Sequence, residues 1–130
     1  MPAARALYEH YARDPRQEIG NVISDDWIWR LPHIVNRAHL RADAGDARGR
    51  ADLEQLLVEL ERISSQGVVH NDTMYWAANA HALLGRHERA LQQLDDAIRH
   101  GWRHAWWARH DCNMQSLAAD PRYGPLLARG

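Results

Sequence analysis

The stretch Asp72–Ile98, DTMYWAANAHALLGRHERALQQLDDAI, most constrains what this chain can become. On its N-terminal side Tyr75, Trp76, Ala78, Ala82 and Leu83 fall at helical spacing. Gly85 then interrupts the pattern with the residue type that best tolerates the left-handed turn closing a helix. Beyond it Ala90, Leu91, Leu94, Ala97 and Ile98 make a second stripe, with Gly101 as its stop. Two helices joined by so short a turn must run antiparallel. Their backbones can approach only where side chains are small, which is what Ala78 and Ala90 supply. This predicts a helical hairpin over residues 71–100.

A second hairpin precedes it. Leu53, Leu56, Leu57, Leu60 and Ile63 recur at i, i+3, i+4, i+7 and i+10, so residues 51–63 read as an amphipathic helix. Ile34, Val35, Ala38 and Ala42 share a face of an earlier helix that Gly45-Asp46 ends. Together they predict a first hairpin over 33–65. Asn71 and Asp72 are read as caps of the helix that follows the loop SSQGVVHND. Pro32 is expected to break a turn begun by Asp25 or Asp26, and residues 3–13 to form a short N-terminal helix stopped before Pro15. After Gly101, WRHAWWARH suggests a short helix and Asp111 caps a further turn over 113–118. Asp120-Pro121 opens a terminal helix with Tyr123, Leu126 and Leu127 inward, so 103–130 reads as a capping region. No strand pattern competes. The expected fold is all-α, a single domain over 1–130.

Composition limits the function. Apolar residues make up 45% and charged residues 25% of 130 positions, enough for a packed core. All 16 basic residues are arginine, but they are spread among 17 acids for a net charge of −1, which disfavours nucleic acid. No run approaches the ~20 apolar residues needed to cross a bilayer, and the N-terminus lacks a signal-peptide core. A cytoplasmic protein without membrane contact is the expectation. Cys112 is the only cysteine, which excludes an intrachain disulfide and a cysteine zinc site. His100 and His104 have metal-pair spacing, but Gly101 separates them, and no HExxH motif is present. No phosphate loop or nucleophile elbow appears, and Ser64, Ser65 and Ser116 have no evident base. Neither catalysis, metal nor cofactor is expected.

The central hairpin resembles a tetratricopeptide (TPR) repeat, a helix–turn–helix unit of about 34 residues. Ala78 and Ala90 stand at its small positions, Gly85 at the turn, and Leu94 and Ala97 at core positions. Met74, Ala77 and His81 replace three motif residues. In the first hairpin Ala38 and Gly45 match, while Arg37 stands where an apolar residue is usual. Leu117, Asp120, Pro121, Arg122, Tyr123, Leu126 and Leu127 resemble the ending of TPR regions in bacterial signalling proteins. The resemblance covers residues 36–129. It implies an α-solenoid fragment and a scaffold for protein or peptide partners.

Counted along that motif, Asp72, Tyr75, Trp76 and Asn79 fall on or beside the concave face, as do Asn36 and His39 of the first unit. Asn79 matches the asparagine that clamps peptides in some TPR domains. Adjacent Trp106 and Trp107 cannot both enter one core, so one is expected to be an exposed contact and the other to pack against the terminal helix. Two repeats are fewer than stacked arrays usually need, so a homodimer through the aromatic C-terminal part is a further expectation. The alternative is a small histidine- and tryptophan-rich sensor or enzyme that binds a metal or ligand.

Overall fold

A computed structural model describes residues 27–130. The expected N-terminal helix over 3–13, the connection after it, and Asp25 and Asp26 lie outside the described residues. The described chain is helical, with no strand among its residues. Six α-helices follow in order: α1 Trp27–Asp43, α2 Arg48–Ser65, α3 Asn71–Leu83, α4 His87–Arg99, α5 Ala105–His110 and α6 Tyr123–Leu127, with a 3-10 helix, Cys112–Leu117, between the last two. The chain divides into two compact units, Met1–Val68 and Val69–Gly130. The boundary falls in the loop between the two hairpins.

In the first unit α1 packs antiparallel on α2. Pro32 does not break α1, which runs continuously through it. Proline costs one i→i−4 bond, but close to the start of a helix most of the ladder lies beyond it. Burial of Leu31, Ile34, Val35 and Ala38 favours the continuous helix. From α2 come Leu53, Leu56, Leu60 and Ile63, all buried, while Leu57 is only half-buried. The helices approach closely at Gly49. A Cβ there would stand 2.6 Å from the Ala38 carbonyl oxygen and 2.9 Å from the Ala42 nitrogen, both backbone atoms. Gly49→Ala is therefore expected to cost a net ~2 kcal/mol, because overpacking outweighs the roughly 1 kcal/mol that alanine gains as a helix former. In α6, Gly124→Ala meets nothing within 4 Å and is expected to be neutral or stabilising. Urea unfolding followed by circular dichroism compares the two.

The second unit is built around the α3/α4 hairpin. Gly85 has φ +77°, and the turn closes with Gly85 N–H donating to the Ala82 carbonyl and Arg86 N–H to that of His81, at 3.1 and 2.9 Å. Gly101, φ +96°, ends α4 in the same way and delivers Trp102, whose N–H reaches the Ala97 carbonyl at 2.9 Å. Ala78 and Ala90 are fully buried in a core with Tyr75, Leu94, Ile98, Trp102, Met114, Leu117 and Leu127. The cap of α3 differs from the expectation. His70 takes that role, its Nδ1 accepting from the Asp72 N–H at 3.1 Å. Asn71 instead donates from Nδ2 to the His100 carbonyl at 3.0 Å, closing the end of α4. The terminal helix also starts later than Asp120-Pro121 suggested, at Tyr123. Asp120 holds the preceding turn by accepting from the Arg122 N–H at 2.9 Å.

Candidate functional site

Only a few large apolar side chains are exposed among the described residues, and two of them are neighbours: Trp106 at 63% and Trp107 at 49%. The structure thereby corrects the expectation that one of this pair packs inward. Helix α5 turns Ala105 and Ala108 into the core, three residues apart on one face, and that leaves positions 106 and 107 pointing away. The inward tryptophan is Trp102 instead, 2% exposed, its ring 4.6 Å from that of Tyr75. Trp106 and Trp107 meet only edge to face, with centroids 5.8 Å apart.

The short helix carrying them is held at both ends. Before it, Arg103 donates from one guanidinium nitrogen to the carbonyls of Ile98 and Trp102, at 2.9 and 2.8 Å. Beneath it, the Tyr123 hydroxyl donates to the Ala108 carbonyl at 2.9 Å. After it, Asp111 accepts from the Asn113 N–H at 3.0 Å and from the Tyr75 hydroxyl at 2.5 Å, so one buried carboxylate ties α3 to the start of the 3-10 helix. Burial first, then the Asp111 charge, raises the Tyr75 phenol well above its ordinary value. The same two causes push Tyr123 up to about 12. Both phenols are thus held as neutral donors. The indoles stand on a support whose polar groups are occupied internally.

The residues placed on the concave face fare differently. Tyr75 is 2% exposed and Asn79 0%, the latter donating from Nδ2 to the Tyr75 carbonyl at 3.0 Å. Their side chains are buried. Every residue from Ala77 to Ala82 is buried, the polar Asn79 and His81 included. Trp76 is half-buried, its ring 5.3 Å from Tyr75, and Asp72 is half-exposed at the start of α3. Asn36 and His39 are half-exposed on α1, where His39 lies 3.4 Å from Asp43. Within the second unit, Tyr75 and Asn79 are thus buried, while Asp72 and Trp76 keep part of their surface in solvent.

A shallow groove of about 540 Å³ lies between α4 and the terminal segment, floored by Leu91 and Leu126. Its charges neutralise one another. Arg122 holds Glu88 through two bonds of 3.0 and 2.7 Å, and Arg129 holds Asp95 at 2.9 Å. Hydrogen bonds from Arg122 also keep Asp120 down at about 2. Compared with family models, with curated proteins and with solved structures, the chain finds no match. Among the described residues no three His, Cys, Asp or Glu side chains gather as a metal site requires. No helix among them is long and apolar enough to cross a membrane.

Proposed function

We propose that this chain is a non-catalytic, TPR-like module that binds a protein or peptide, with Trp106 and Trp107 as its principal contacts. The observation carrying the proposal is the exposure of two adjacent indoles on a helix anchored at both ends. Large aromatic surface held rigidly loses little entropy when a partner covers it, which is why tryptophan is enriched at binding hot spots. The hairpin geometry supports the TPR-like part. Gly67 and Gly101 close the second helices of the two hairpins and stand 34 positions apart, the length of a TPR unit. Gly45 and Gly85 stand 40 apart, because α2 has 18 residues where α4 has 13.

Affinity capture with the immobilised chain tests the reading, comparing wild type with Trp106→Ala/Trp107→Ala. Retained proteins are expected to fall about tenfold or more with the double variant, as for loss of a hot spot. Equal recovery by both baits, or no protein above bare resin, would count against it.

A further inference from the structure

From the acidic pair at Asp96 to the next acid, Asp111, residues 97–110 read AIRHGWRHAWWARH. The stretch holds three arginines, three histidines and no carboxylate, and all six of those cationic or titratable side chains are exposed. The net charge of −1 for the whole chain conceals this local asymmetry. Arg99 is answered by Asp95 at 3.0 Å. Arg103 uses one nitrogen to close α4 and keeps its charge. Arg109 follows Trp107 by two residues and meets no carboxylate at salt-bridge distance among the described residues. Asp111, the nearest acid in the chain, is buried and accepts from Tyr75 and Asn113. Two exposed indoles are thus flanked in the chain by Arg103 and Arg109, neither of which meets a carboxylate at salt-bridge distance among the described residues.

We propose that the Trp106/Trp107 face, with Arg103 and Arg109 beside it, docks an acidic peptide segment whose apolar side chain covers the indoles while its carboxylates pair with the guanidinium groups. This rests on the binding-module reading and names its partner class. Charge complementarity selects the occupant. A second copy meeting the same face through a two-fold axis would set Arg103 and Arg109 against their own kind. A bilayer needs a longer amphipathic surface than a six-residue helix whose other face is buried, with more basic residues than two. A carboxylate can take a guanidinium through two parallel bonds, which suits the forked donors of arginine.

The test uses the full chain and fluorescein-labelled peptides with a central Leu-Trp pair flanked by Asp and Glu, by Asn and Gln, or by Arg. Fluorescence anisotropy is expected to show the acidic peptide binding at least ~10-fold tighter than its amide counterpart, weakening as salt shortens the screening length. Arg109→Glu is expected to abolish that preference and Trp106→Ala to weaken both peptides at least ~10-fold, each without changing the far-ultraviolet circular dichroism. Equal affinity for acidic and amide peptides would overturn the charge assignment, while Trp106-dependent binding of both would leave the binding module standing. Failure of every peptide overturns the proposal too, and the module reading falls with it only if affinity capture is also indifferent to the tryptophans. Co-sedimentation with phosphatidylserine vesicles in the absence of peptide binding would assign the face to a membrane. Self-association lost with Trp106→Ala would assign it to a second copy.

Discussion

Trp102→Ala is expected to destabilise the second unit by about 3–5 kcal/mol, the range for emptying a large aromatic from a packed core. The side chain is 2% exposed, lies against the Tyr75 ring, and shares its core with Ala97, Ala105 and Met114. The cavity left behind would loosen more than contacts. Trp102 is the residue the Gly101 turn delivers inward, and it is continuous with the support of α5. With domain stabilities of only ~5–15 kcal/mol, such a loss uses up a large part of the total. Trp106→Ala is expected to cost about 1 kcal/mol or less, since the side chain is exposed and its aromatic contact is the edge-to-face pair with Trp107. Urea unfolding of the two variants side by side checks the division of labour. A small effect at Trp102 together with a large one at Trp106 would reverse the assignment of inward and outward tryptophans.

That division was only half legible in the sequence. The adjacency of Trp106 and Trp107 shows that they cannot share a core, but it does not say that alanines three residues apart take the inward places of both. Small residues were read as permitting close approach between α3 and α4, and Ala78 and Ala90 are both fully buried in the core those helices share. The same reasoning missed Gly49, which lies in the first turn of α2, where its close approach depends on the backbone of α1 and leaves no periodic trace. Helix ends were the most legible feature, since Gly45, Gly85 and Gly101 all carry positive φ. Helix starts were less so. Asn71 is a stronger N-cap by type than His70, yet its amide has a partner at the end of α4, twenty-nine residues on, which no local pattern reveals. The placement of Tyr75 and Asn79 on an outer face relied on motif counting. The buried Tyr75 hydroxyl is instead taken by Asp111, thirty-six residues on, a partner no local pattern reveals.

Arg37 illustrates how an apparent mismatch in the sequence acquires a physical role. It stands where an apolar residue was expected, and it is indeed buried, at 4% exposure, with Arg41 at 6%. Both approach one carboxylate: Arg37 lies 3.6 Å from Asp52 Oδ2, and Arg41 donates to the same oxygen. Asp52 projects from α2, so this cluster joins the two helices of the first hairpin through charge where Leu31, Ile34 and Leu56 join them through apolar contact. Asp52→Asn keeps the shape and removes the charge. The variant is expected to lose about 3 kcal/mol, because two desolvated guanidinium groups lose the anion they share. Glu54→Gln lies two residues away on the same helix, in an exposed pair 3.9 Å from Arg50. It is expected to cost less than ~0.5 kcal/mol, since water already screens that interaction. Hydrogen exchange over residues 27–65 reads both variants on the helices concerned. Faster exchange in α1 and α2 with Asp52→Asn and none with Glu54→Gln is the expected result. Equal, small changes would mean that the apolar contacts alone hold the hairpin. In that case the arginine at position 37 would be tolerated at the helix interface without stabilising it.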